Sequence, residues 1–108
     1  MPAPNTRWYA STNFIPHQPY SLNIVGEVEV GNPGIHAELV CRRPQGVNRQ
    51  VLYLDLNLVQ QLGDWTHEVI WIPTSYEKIL ASHSTRYNQV EIFFEDDSIA
   101  VIPVHSTS

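Results

Sequence analysis

Cysteine is nearly missing from this chain. Cys41 stands alone among 108 residues, so no internal disulfide can form. That usage fits a reducing compartment. Charge is sparse as well: 16% of residues are charged, against ~25% in a typical domain. The six Lys and Arg make no basic run beyond Arg42-Arg43, which speaks against a surface that tracks nucleic-acid phosphates. A net charge of −5 disfavours anionic membranes in the same way. No apolar run approaches the ~20 residues of a membrane helix. The opening Met1-Pro2-Ala3-Pro4-Asn5-Thr6-Arg7 has no hydrophobic leader region, and with Met1 as the natural start the expected location is cytoplasmic. The five glycines, at 26, 31, 34, 46 and 63, lack both dinucleotide-binding and phosphate-loop spacing. No G-x-S-x-G nucleophile elbow occurs. His17, His36, His67, His83 and His105 include no pair at tight metal-binding spacing, and there is no Cys cluster to join them. Neither a metal nor a cofactor is expected.

What is present is alternation. Residues 50–60 read Q-V-L-Y-L-D-L-N-L-V-Q, with Leu52, Leu54, Leu56 and Leu58 on one parity and Tyr53, Asp55 and Asn57 on the other. Side chains on a strand point alternately to its two faces, so this spacing predicts a strand with one buried face. A helix would scatter the same leucines around its cylinder. Residues 20–30 repeat the pattern, with Leu22, Ile24, Val28 and Val30 against Ser21, Asn23, Glu27 and Glu29. Gly26 sits on the apolar parity, where a missing side chain permits a bend or close packing. Gly31-Asn32-Pro33-Gly34 is a turn, and residues 35–43 alternate again, so the two strands read as an antiparallel hairpin. Further strands are expected at 7–14, at 66–72 (ended by Pro73), at 90–95 and at 99–104. Ile15-Pro16-His17-Gln18-Pro19 breaks regular structure. Residues 74–88 read as irregular, with about one helical turn over 76–81.

With 43% hydrophobic residues the chain has enough for a core, and its length suits one domain, 1–108, with flexible ends at 1–6 and 106–108. About six to seven short strands punctuated by Gly, Pro, Asn and Asp predict an all-β antiparallel β-sandwich of immunoglobulin-like architecture, with a small barrel as the alternative. The Cys–Trp–Cys pattern of true immunoglobulin domains is absent.

Candidate chemistry is thin. His36 and Glu38 share a strand face, with Glu27 and Glu29 expected opposite, which reads as a solvated face with weak cross-strand pairs. Asp55 points with Tyr53 and Asn57, and a buried carboxylate there would need paired donors, so that face is expected to be open. Glu95-Asp96-Asp97-Ser98 lacks the ligand spacing of a calcium loop and reads as a polar hairpin turn. Cys41 shares the parity of Leu39 and Ala37 and is taken as a small core residue. Aromatic residues are the better lead. Tyr53, Trp71 and Phe93 are expected to gather on an outer face, with Trp8 as a further binding candidate, because Trp and Tyr commonly anchor protein interfaces. The competing expectation is that their own chain covers these rings.

The size and the expected sandwich resemble those of chagasin-like protease inhibitors, in which loops at one end of the sandwich enter a protease cleft. Asn32-Pro33-Gly34 and Arg43-Pro44 are the points of resemblance; the surrounding motifs and their order differ, and no site residue is carried over. The expected function is that of a non-enzymatic module that binds a protein partner or forms a homo-oligomer. A small-ligand or carbohydrate binder using Trp8, Trp65 or Trp71, or a protease-inhibitor-like loop binder, is the alternative.

Overall fold

The computed structural model describes residues 3–13, 19–80 and 87–107. Of these, 68% lie in strands and none in a helix. Seven strands follow in chain order: β1 (Thr6–Asn13), β2 (Tyr20–Val30), β3 (Ile35–Cys41), β4 (Val51–Gln60), β5 (Ile70–Leu80), β6 (Gln89–Phe94) and β7 (Asp97–Thr107). Alternation decides what each strand buries. On β4, Leu52, Leu54 and Leu56 are buried and Leu58 packs beside them, while Asn57 on the other parity is exposed. On β2, Leu22, Ile24, Val28 and Val30 are buried in the same way. Fully burying one such side chain stabilises the fold by roughly 1.5–3 kcal/mol. Ala10, Leu39, Leu80, Val90, Ile92 and Phe94 complete the same core.

The strands form one mixed sheet in the order β3-β4-β6-β7-β1-β2-β5. Neighbours are antiparallel except for β1–β7 and β4–β6, which are parallel. The sheet is nearly closed and barrel-like, with its two edge strands, β3 and β5, brought against each other. Followed round the sheet, the pairing senses make β3 and β5 run in the same direction. Across their seam the Thr74 hydroxyl donates a hydrogen bond to the Ala37 carbonyl at 3.1 Å. The Cα atoms extend 48 × 29 × 20 Å along the principal axes.

The arrangement differs from the expected antiparallel sandwich for a definite reason. Alternation reports which face of a strand is buried, and that is the same in a sandwich and in a barrel; it carries no information on pairing sense. The expected β2–β3 hairpin does not form, because β5 takes the free edge of β2 from Val30↔Ile70 to Tyr20↔Leu80, leaving β3 to pair with β4. Glu27 and Glu29 therefore do not lie opposite His36 and Glu38. The expected irregular stretch with a helical turn is instead the second half of β5, which alternates Thr74, Tyr76, Lys78 and Leu80 against exposed Ser75, Glu77 and Ile79. Pro73 does not end this strand, because β5 closes the strand order and one of its sides needs no ladder donor. At the C-terminus Ser106 and Thr107 are paired with Thr12 and Asn13. Thr6 likewise belongs to β1, and the Asn5 carbonyl accepts from the Glu29 amide at 2.9 Å. Met1, Pro2, Phe14, residues 15–18 of the expected break, residues 81–86 and Ser108 lie outside the described residues. Among the described residues no helix is long and apolar enough to cross a membrane.

Gly26 is a close-approach site. The Trp8 indole lies across it, so that an added Cβ would meet Trp8 Cε3 at 2.2 Å and the Arg7 carbonyl oxygen at 2.6 Å. Gly26→Ala is expected to cost about 1–3 kcal/mol through overpacking, measured as a lower urea midpoint. An unchanged midpoint contradicts the packing described.

Candidate functional site

The four aromatic residues singled out in the sequence go to three places. Trp8, on β1, folds over Gly26 and packs against the core, and its indole N–H donates to the Thr6 hydroxyl at 2.8 Å. Tyr53 and Phe93 do meet, on the neighbouring strands β4 and β6, with ring centroids 6.1 Å apart. Trp71, on β5, lies apart from them under the Arg7 guanidinium, whose Cζ is 4.1 Å from the ring centroid.

The Tyr53–Phe93 pair is covered by its own chain. The Arg42 guanidinium lies 4.3 Å above the Phe93 ring. It is held there by Asp55 Oδ1 at 2.7 Å and Asp96 Oδ1 at 3.1 Å. These bonds, that to Asp55 first, raise the Arg42 pKa above its already high ordinary value, so its charge is permanent. The next loop adds a second cover. The Gln45 side-chain amide donates to the Tyr53 carbonyl at 2.8 Å and accepts from the Tyr53 amide at 2.9 Å, taking the place of a neighbouring strand. Gly46 then lies flat on the Tyr53 ring, where an added Cβ would come within 2.5 Å of Cζ. Asp55 is thus an ion-pair partner of Arg42 and not an open carboxylate. The cover of these two rings is supplied by the segment 42–46.

The open surface is on the other broad side, over β5, β2, β1 and β7. Tyr9 on β1 and Val25 on β2 are direct pairing partners, and each is 50% exposed. The Tyr9 ring stacks on His105 of β7, with centroids 5.0 Å apart and planes 8° apart. Arg7, Glu27, Pro73 and Ser75 border the same region, which forms a groove of about 580 Å³. The sequence reading missed Tyr9 and Val25. Its usable signal was Val25 itself, an apolar residue on the polar parity of Ser21, Asn23 and Glu27, since such an exception either packs under something or stays exposed for a partner.

Two further features lie away from this face. A hollow of about 320 Å³ opens beside Trp65, lined by Asn32, Gln60, Gln61, Leu62, Gly63 and His67. At the seam, Tyr76 and Tyr87 pack against the core beside Cys41. Both tyrosine pKa values are raised from 10.0, first by burial and then by the neighbouring Cys41. Among the described residues no group of three or more His, Cys, Asp and Glu is placed to hold a metal ion. Comparison of the chain with protein-family models, with curated proteins and with solved structures finds no match.

The seam tyrosines give a pH test. A raised folded-state pKa means the unfolded chain releases these protons first, so their contribution to stability is complete below about pH 10 and is lost as pH rises beyond it. Urea midpoints are expected to be flat up to about pH 10 on this account and then to fall, with a shallower decline in Tyr76→Phe. A midpoint that rises above pH 10 contradicts the burial assigned to Tyr76 and Tyr87.

Proposed function

We propose that this protein is a non-enzymatic interaction module that binds protein through the outer face of β5, β2, β1 and β7. One observation carries the reading: Tyr9 and Val25 stand side by side and half-exposed at the centre of this face, flanked by Trp71 and the Tyr9–His105 stack. Aromatic residues and Arg at the middle of a patch are the residues that most often anchor a protein interface. The opposite side offers less, because Arg42, Gln45 and Gly46 already cover Tyr53 and Phe93. The lone Cys41 supports a reducing, cytoplasmic setting for this reading.

The alternative, a small-ligand or carbohydrate binder, has the narrower footing. Trp8 is folded over Gly26 and Trp71 is capped by Arg7, which leaves Trp65, beside its hollow, as the tryptophan open to such a ligand.

The test places a photo-crosslinking residue at Val25 and, as control, at Asn57, an exposed position of β4. In extract of the source cells, or with purified protein, irradiation at position 25 is expected to give protein adducts of discrete mass that position 57 does not give. Equal labelling at the two positions, or none at 25, overturns the reading.

A further inference from the structure

We infer that the partner of this face is a second copy of the same chain, packed face to face about a two-fold axis that runs along the strands between β1 and β2. The inference rests on the reading that this face binds protein, and it adds which protein. The strand registers supply the argument. Residues on the outer parity stand in rows across the sheet: Pro73, Glu27 and Arg7 in one, Ser75, Val25 and Tyr9 in the next, Glu77, Asn23, Ser11 and His105 in the third.

A two-fold axis between β1 and β2 leaves each row in place and exchanges its two halves. β1 of one copy then faces β2 of the other, and β7 faces β5. Arg7 meets Glu27 of the second copy, Tyr9 meets Val25, Ser11 meets Asn23 and His105 meets Glu77. The four contacts are complementary: cation on carboxylate, ring on branched alkyl group, hydroxyl on amide, imidazole on carboxylate. A two-fold interface makes each of these contacts twice.

The charges favour this occupant over others. By strand position β1 and β7 contribute Arg7 and His105 to the face and β2 and β5 contribute Glu27, Glu29 and Glu77, with the Arg7 guanidinium reaching across β2 to Trp71 on β5. A partner of one sign satisfies one set and opposes the other, whereas a rotated copy presents the opposite set to each. Like-charge juxtaposition at an interface is costly and complementary charge sets the register. Glu27 has no ion pair among the described residues. Among the described residues Arg7 is held by the Trp71 ring alone, a cation–π contact that is readily exchanged for a carboxylate.

Sedimentation equilibrium on the purified chain tests the inference through a charge swap. Wild type is expected to dimerise, and Arg7→Glu and Glu27→Arg are each expected to weaken the dimer by about tenfold or more, having placed like charges in contact. Mixing the two variants is expected to restore dimers, because each mixed pair recovers both Arg–Glu contacts. Matching urea midpoints confirm that the variants fold. A wild-type monomer at every concentration overturns the inference, as do variants that dimerise like wild type or a mixture that stays monomeric. If the position-25 crosslink then joins a different protein, binding through this face stands and only the identity of the partner is lost.

Discussion

From Asp97 to Pro103, β7 is hydrogen-bonded to β6, and from Val104 to Thr107 it is hydrogen-bonded to β1. Pro103, which has no amide to donate, stands at the change, and the next amide, of Val104, bonds to the Asn88 carbonyl at 2.9 Å. The rest of the fold depends on this exchange of partners. Without it β3-β4-β6 and β1-β2-β5 would be separate small sheets, each too short of hydrophobic cover to be stable alone. With it they are halves of one curved sheet around one core, to which β2 brings Leu22, Ile24 and Val28 and β4 brings Leu52, Leu54 and Leu56. The same curvature brings β3 against β5, where Thr74 bridges a seam between strands that run the same way.

Much of the core was legible in the sequence, and little of the pairing was. The leucines of β4 and the apolar set of β2 declare their buried face by parity alone, and Gly26 on that parity marked a close approach that Trp8 fills. Partner choice is a different kind of information. Two strands joined by a four-residue turn are the default hairpin, yet β2 is claimed along its length by β1 and β5, through contacts far away in the chain. The second half of β5 was illegible because Thr74, Tyr76 and Lys78 occupy its inward positions and present no apolar alternation, while Pro73 reads as a stop.

The same distinction governs the two broad faces. Tyr53, Asp55 and Phe93 looked like a binding surface because two rings and a carboxylate share a parity. Tertiary structure spends them internally: Arg42 needs both Asp55 and Asp96, and the loop after it needs Tyr53 as the strand edge for Gln45. On the β1–β2 side no such cover exists over Tyr9 and Val25 among the described residues, and the basic residues Arg7 and His105 stem from β1 and β7 while the acidic Glu27 and Glu77 stem from β2 and β5. A face with a half-exposed apolar centre and with basic and acidic residues stemming from neighbouring strands is suited to meeting its own rotated image, which joins the proposed function to the geometry of the strands.

An NMR dilution series tests this account most directly, since it reads every strand at once without altering the chain. Amide resonances of Arg7, Tyr9, Val25 and Glu27 are predicted to move together with protein concentration, while those of Asn57 and Val59 on β4 stay fixed. Shifts confined to β3 and β4, or no shift up to the highest soluble concentration, would contradict it.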